Sequence, residues 1–547
     1  MQSRAPSQVS ATMEYDTIVV GAGSAGATLA ARLAQSEAAR HVLLLESGPD
    51  WRSADAPDAM RSPNPSTIIT RGEFARFRYD DLRARRTRAQ SPRLYWRGRG
   101  LGGSSAVNGQ IAIRATAQDF ARWVELGCDG WGFADVLPYF CKLESDLEFG
   151  AAPYHGAEGP IPIYRAPLAQ FGPVDTAFAQ AALDAGIPWA ADHNAPNAFG
   201  VSRYAINSLG GKRVTTNDAY LEPARGANNL SIRGDCQVDR VLLSRSRAVG
   251  VELVHAGKRE RALGRRVVLA AGAVHSPAIL LRSGVGPAVE LARLGVEPRV
   301  NLPVGCSAQD HPLFALGLAL EGEFVSPPDF RHTNCCARIA SGHAEGGAGD
   351  LMFVSMNGLG DSLGRASRND RRTGFGMIGV WLNRCFARGR LTLVSLDPYA
   401  HPEIELAMLD DASDRARLRA GARRLVELAS HRAVGAVTTS VGAVARGWSG
   451  AADEQLTLAT LGSLSDADLD ALLLHTVSDA QHPTSTCRMG RADDPTTVVD
   501  VECRVLGCEN LYVVDASVMP EVPCANTHLT TVMIAERMAE RLAAPHT

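Results

Sequence analysis

The sequence predicts a mixed α/β fold, α+β overall, in which a parallel nucleotide-binding sheet is interleaved with a domain built on an antiparallel sheet. Three observations predict it. The chain opens on strand, glycine turn, helix and strand in one short unit. Buried-strand patterns of the same character return in the middle and at the end. The segments between them carry glycine clusters and strand-like runs of a different texture.

The opening unit begins with Tyr15-Asp16-Thr17-Ile18-Val19-Val20, a short β-branched run that reads as a buried strand. Gly21-Ala22-Gly23-Ser24-Ala25-Gly26 follows at once. Gly21 allows the tight turn, Gly23 lets backbone amides approach a pyrophosphate, and Gly26 lets the next helix pack on the strand. That helix is expected from Ser24 to about Gln35. A second strand, His41 to Glu46, ends in a carboxylate where a ribose hydroxyl should lie. A glycine motif alone is weak, but this full context defines a Rossmann-like dinucleotide unit.

Further along, Arg265 to Ala273 reads as a strand leading into a turn, and Ser276 to Arg282 as the helix after it. Leu511 to Ala516 is another buried strand, finishing beside the acid Asp515. The last helix, about Leu529 to Leu542, sets Val532, Ile534, Ala535, Met538 and Leu542 at near-helical spacing. These pieces predict one sheet drawn from residues 13–165, 212–314 and 470–542. Residues 166–211 and 315–469 form the inserted domain, with the cluster Gly342 to Gly349, the strand-like Arg390 to Val394 and a helix from Arg415 to Leu428. It is expected to roof the cofactor with an antiparallel sheet and covering helices. Residues 1–12 are polar and read as a disordered tail, not a secretion signal.

Composition narrows the partners. With 547 residues, 45% hydrophobic, the chain buries a large core, and a net charge of −3 gives no reason to expect nucleic acid or an anionic membrane. No apolar run is long enough for a membrane span. The arginine-rich stretch from Arg71 to Arg99 is broken by Asp80, Asp81, Pro92 and aromatics, so it reads as a solvated loop. Eleven cysteines lack the paired spacing of a zinc site, so no metal is expected, and reduced thiols fit a cytoplasmic address.

His482 lies in His482-Pro483-Thr484-Ser485-Thr486-Cys487-Arg488-Met489-Gly490, a poor core segment and a good place for a proton acceptor beside a cofactor. An alcohol gives up hydride readily only as its hydroxyl proton leaves, and an imidazole suits that task. Most of the fourteen histidines have a plainer reading as surface or core residues; His275 and His311 are expected to cap backbone groups at sheet-edge turns. Trp381, Phe353 and Trp131 are read as core aromatics before pocket walls.

Gly98-Arg99-Gly100-Leu101-Gly102-Gly103-Ser104-Ser105-Ala106-Val107-Asn108-Gly109 and Gly272-Ala273-Val274-His275-Ser276-Pro277, continuing to Gly286, resemble the two signature patterns of the glucose-methanol-choline oxidoreductases. The His482 to Gly490 segment resembles their active-site segment, and Tyr154-His155-Gly156 and Asn526-Thr527-His528 are smaller matches. The resemblance covers about residues 14 to 542. It implies a Rossmann-like FAD-binding domain and a substrate domain on an antiparallel sheet. It implies that Gly21, Gly23, Gly26 and Glu46 hold the ADP half of FAD, with the Val238 backbone at the adenine, and that Asn108 and the glycines before it, Gly102 and Gly103 among them, lie against the isoalloxazine. Asp515 and Ala516 would meet the pyrophosphate and ribityl region from the other side, and Ser24, Ala25, Ser47, Arg99, Gly109, Ala271 and Thr527 complete the implied cofactor-binding set. His482 matches the family's catalytic histidine and His528 its second active-site residue, expected to donate to the developing alkoxide. Covalently linked members use a histidine where this chain has Arg97, so unattached FAD is expected. Ser307-Ala308 stands where the family usually has Asn-Leu.

Within the family, Asp146 to Ile163 looks similar to the branch oxidising hydroxymethylfurfural and aryl alcohols, and to choline and alcohol dehydrogenases. The implied reaction is oxidation of a small primary alcohol to an aldehyde, hydride passing to flavin N5 with His482 as base, and oxygen or a quinone-like carrier as acceptor. A hydroxynitrile lyase on the same fold is the alternative from another class. Photochemical decarboxylation and a nicotinamide enzyme are weaker rivals: His482 holds the alcohol-oxidising position, and the Asp515 strand and the loop before Asn108 suit a longer flavin ligand.

Overall fold

The computed structural model describes residues 14–36, 41–69, 72–358, 373–443 and 456–544; the predicted tail and Arg71 lie outside them. In the first sheet, strand Tyr15–Val20 runs parallel between Val42–Leu45 and the end of Lys258–Leu269. Leu230–Arg233 extends the sheet beyond Val42–Leu45, and Leu511–Val513 extends it beyond Leu269, both in parallel. The beginning, middle and end of the chain therefore build one sheet. Its central strands are β-branched and leucine-rich, and Ile18 to Val20, Val42 to Leu45 and Val267 to Leu269 are all buried.

One strand is longer than its sequence pattern. Lys258–Leu269 enters as the third member of an antiparallel meander with Cys236–Ser244 and Arg247–His255, and only its last residues join the parallel sheet. The charged start, Lys258 to Arg261, faces solvent in the meander and lacks the apolar run that marks a buried strand.

The glycine turn leads into helix Ser24–Ala34, which packs against the closing helix Thr527–Ala543. Gly26 is required there: a Cβ would stand 1.8 Å from the Gly21 carbonyl oxygen. The closing helix is buried nearly all round up to Ala539, including the charged Glu536 and Arg537, while Glu540 and Arg541 are exposed. Glu536, 0% exposed, pairs with Arg32 at 2.8 Å and accepts from the Tyr220 hydroxyl at 2.8 Å. Arg537 lies over the Trp131 ring, 4.3 Å from its centroid.

The second sheet is antiparallel, with Pro312–Glu321 and Thr373–Leu382 at its centre and Leu351–Met356, Cys335–Ile339 and Gly200–Arg203 on one flank. Helix Ala412–Ala429, whose first turn is capped by the Asp411 side chain, covers Thr373–Leu382. Arg390–Thr392 does not join this layer; it pairs only with Glu403–Glu405 in a separate ribbon. The Arg71 to Arg99 stretch is not a solvated loop either. Arg83–Ala84 and Arg93–Leu94 form a small hairpin, and Arg78 and Arg86 are buried.

One pairing carries most of the functional consequence. Ser478–Asp479 adds to the start of Pro312–Glu321, and Gln309 bridges to Thr484. Between these contacts two residues, Asp310 and His311, oppose four, Ala480, Gln481, His482 and Pro483. This bulge places Gln481 at φ 65° and re-aims the His482 side chain.

Candidate active site

The two sheets enclose a cavity of about 1090 Å³ that contains both the glycine turn and His482. Gly21, Gly23, Ser24, Ala25, Glu46, Ser47, Gly103, Asn108, Gly109, Val238, Ala271, Asp515, Ala516, Thr527, His482 and His528 all line it. Gly26, Arg99 and Gly102 stand behind the wall. Gly26 seats the helix, Arg99 donates to the Ser47 carbonyl at 2.8 Å, and the Gly102 amide donates to the Ala22 carbonyl at 2.8 Å.

Glu46 is knitted into its surroundings. Its carboxylate accepts from the backbone amides of Ala22 at 2.8 Å and of Gly48 and Gly100 at 2.9 Å each. It therefore ties the glycine turn to the second glycine loop. Those loops meet backbone to backbone at Gly23 and Gly103, where a Cβ on Gly103 would sit 2.7 Å from the Gly23 Cα. Asp515 does the same on the far wall, accepting from the Gly272 amide at 2.9 Å, the Ser276 hydroxyl at 2.6 Å and the Ser517 amide at 2.8 Å. Burial raises its pKa and these donors oppose the rise. Asn108 is fixed by the Gln110 amide at 2.9 Å and Arg213 at 2.8 Å.

His482 is 8% exposed, and both its ring nitrogens are engaged. Nδ1 lies 2.9 Å from Nδ1 of His311, and Nε2 lies 3.1 Å from Nδ2 of Asn526. His311 Nε2 in turn lies 2.9 Å from the Pro523 carbonyl oxygen. The tautomers follow from that carbonyl, which can only accept. His311 Nε2 carries the proton. Burial holds the His311 pKa down at about 4, so the ring is neutral and its Nδ1 is an acceptor. His482 must then carry its proton on Nδ1 and leave Nε2 bare. Burial first, then the nearby His311 and Arg97, push the His482 pKa well below its ordinary value, so the bare nitrogen is its resting form.

The segment is held from behind. Asp310 accepts from the His482 amide at 2.8 Å, the His311 amide at 2.7 Å and the Tyr95 hydroxyl at 2.5 Å, and burial followed by Asp479 raises its pKa to about 7. Trp381 stacks on His311 with centroids 6.3 Å apart and meets His482 edge-on at 6.1 Å.

The expected donor beside His482 is relocated. Asn526 meets Nε2, whereas His528 turns to the glycine turn, its Nδ1 3.0 Å from the Ser24 hydroxyl. Two residues along a helix N-terminus point in different directions, and a motif read as a string does not separate them. His311, expected to cap a backbone group, does so at the Pro523 carbonyl and also contacts His482. His275, expected to do the same, instead meets His401 at 3.4 Å and lines the cavity with its ring 4.7 Å from that of Tyr79. Trp381 is a cavity wall, while Phe353 and Trp131 are core. No local signal marks His311 or Trp381, because the sheet register brings them in.

The cavity fits a flavin dinucleotide. The glycine turn presents a helix N-terminus to a phosphate, and two buried polar atoms on the lining, His528 Nε2 and Asn526 Oδ1, have no protein partner. A glycine-turn sheet, a roofing antiparallel sheet and a neutral imidazole in the shared cavity define a flavin-dependent oxidoreductase acting on CH–OH groups. The family models described as GMC oxidoreductase match residues 15–313 and 386–535, and the chain belongs to that family. It is 33% identical over 542 residues to 5-(hydroxymethyl)furfural oxidase of Methylovorus sp. (strain MP688), covering 96% of this chain and 98% of the relative. It is likewise 33% identical to the mitochondrial choline dehydrogenase of Homo sapiens, covering 96% and 89%. Among solved structures, pyridoxine 4-oxidase from Mesorbium loti superposes with a TM-score of 0.84 at 28% identity, covering 97% of this chain and all of that one.

Proposed function

We propose that this protein oxidises a small primary alcohol, aromatic or furanic, to its aldehyde, with His482 Nε2 taking the hydroxyl proton. The observation that carries this reading is the tautomer relay from the Pro523 carbonyl through His311, which leaves Nε2 bare inside the cavity of the dinucleotide turn. Asn526 Nδ2, beside Nε2, donates to the substrate oxygen as negative charge develops there. Bound FAD supplies the two-electron sink that accepts hydride from the carbinol carbon. Leu313, Val354, Met356 and Trp381 give the chamber an apolar wall that excludes water from the proton transfer.

Choline is a poor fit. Each carboxylate on the lining is already engaged: Glu46 and Asp515 by backbone amides, Asp80 by Arg78 and Asp479 by Arg86. None is left to meet a quaternary ammonium. FAD is held without a covalent bond, since Arg97 occupies the attachment position. The electron acceptor is oxygen or a quinone-like carrier. Among the described residues no helix is long and apolar enough to cross a membrane, and the cysteines are free, in keeping with a cytoplasmic address.

Anaerobic addition of a primary aryl alcohol to the FAD-loaded protein is expected to bleach the flavin absorbance. Unchanged flavin together with cyanide release from a cyanohydrin would replace this reading with the lyase.

A further inference from the structure

Five arginines line the cavity on the side of the Arg83–Ala84 and Arg93–Leu94 hairpin. Two are neutralised. Arg78 pairs with Asp80 at 2.7 Å, and Arg86 pairs with Asp479 while its other nitrogens donate to the carbonyls of Ala84, Arg93 and Leu94. The other three, Arg83, Arg93 and Arg97, have no carboxylate partner among the described residues. Arg83 is exposed and makes no protein hydrogen bond, Arg93 donates to the Gln90 side-chain oxygen, and Arg97 donates to Trp96 and to the Gln481 carbonyl and side chain.

This is an unusual place to leave three guanidinium groups without a paired carboxylate. The chain has 59 acidic against 56 basic side chains, so partners are not scarce. Burial and then the neighbouring Arg86 press against the charge on Arg93, Asp479 only partly offsets them, and a bound anion would relieve the remainder. The three groups lead inward. From the solvent-exposed Arg83 and Leu94 the wall runs through Arg93 to Arg97, which Gln481 grips next to His482. The opposite wall is the apolar chamber of Leu313, Val354, Met356 and Trp381.

We propose that Arg83, Arg93 and Arg97 form an anion-receiving passage, and that the preferred substrate is an alcohol whose apolar body carries a carboxylate. Guanidinium meets carboxylate in a planar, two-pronged contact. The inference rests on the alcohol-oxidising reading of the same site. The carbinol is still oxidised by two electrons to the aldehyde, its hydroxyl proton going to His482, and the carboxylate is left unchanged.

The test compares 4-(hydroxymethyl)benzoate with benzyl alcohol by flavin bleaching in the FAD-loaded enzyme, and titrates benzoate, which cannot be oxidised, by its perturbation of the flavin spectrum. The expected result is kcat/KM at least about tenfold higher for the carboxylated alcohol at low ionic strength, with the preference shrinking as salt is added. In the double variant Arg83→Gln, Arg93→Gln the ratio between the two substrates should fall about tenfold, mainly through KM, and benzoate should bind about tenfold more weakly. Equal kcat/KM for the two alcohols, or a double variant that shifts both alike, overturns the proposal. If neither alcohol bleaches the flavin, the oxidation reading fails by itself. Benzoate binding then decides the passage: weakened binding in the double variant supports it, and absent or unaltered binding sinks it.

Discussion

Replacing His311 with Phe tests the relay directly. The phenyl ring keeps the stack against Trp381 but removes both nitrogens, so the Nδ1–H of His482 loses its acceptor and the Pro523 carbonyl its donor. A buried N–H left unpaired costs about 1–3 kcal/mol. His482 escapes that cost by turning its ring or moving the proton to Nε2, and either change removes the bare nitrogen from the cavity. At 1.36 kcal/mol per factor of ten, the competent population falls by roughly 5- to 160-fold. Flavin reduction followed by anaerobic stopped flow should slow by that factor, with little change in the substrate concentration dependence. The same substitution placed on His482→Ala should cost almost nothing more, because the residue it positions is gone. Two results refute the reasoning: reduction within twofold of the unmodified enzyme, or an undiminished loss on the His482→Ala background.

His482→Ala should slow flavin reduction by about two to four orders of magnitude while FAD remains bound, as read by stopped flow and by flavin content after gel filtration. Acid precipitation should leave the flavin in the supernatant, and yellow colour retained by the washed pellet would contradict unattached FAD. The fold should weaken in mild acid, because burial holds His193, His275 and His332 down at about 3 and His311 and His528 at about 4. Between pH 6.5 and about 4 the unfolded chain binds protons that these rings refuse, so their contribution, complete above 6.5, is lost as pH falls, at up to about 1.4 kcal/mol per ring per unit. His155, raised by its Asp192 and Glu144 hydrogen bonds against the burial that opposes them, and Asp310, raised by burial to about 7, work in the other direction but are outnumbered by the five lowered rings. The thermal midpoint should therefore drop between pH 7 and 5, and a level or rising midpoint would count against neutral burial.

Much of the first domain was legible because each of its pieces is local. The glycine turn, the helix after it and the buried strands announce themselves by period and by the demands of backbone geometry at Gly21 and Gly26. The start of Lys258–Leu269 escaped because its charged residues sit in a meander open to water. Arg390–Thr392 has strand propensity but no place in the large sheet, and propensity does not name a partner. The arginine hairpin was read by charge density, whereas its fate was decided by Asp479, nearly four hundred residues away in the chain, which buries Arg86.

The site shows the same division more sharply. His482 was found by its chemistry and by the segment it lies in, although that segment, expected to be poor core, is buried from Thr484 to Gly490. His311 was missed because its surroundings in sequence are those of an ordinary strand start, and its role arises only when Pro312 pairs with Asp479. The chemistry depends on that pairing. A histidine in a buried, uncharged setting has two neutral tautomers of similar energy, and only one presents a lone pair to a substrate. The side chain cannot choose by itself. The choice is made by the Pro523 carbonyl, which forces His311 to accept at Nδ1 and so forces His482 to donate there. Pro523 also belongs to the loop that delivers Asn526 to the other face of the same ring. One backbone oxygen thus sets the tautomer of His482 and its loop supplies the amide beside it, so the proton acceptor and alkoxide stabiliser of the proposed reaction are positioned by a single element. A substitution that shifts this loop should therefore impair both functions together.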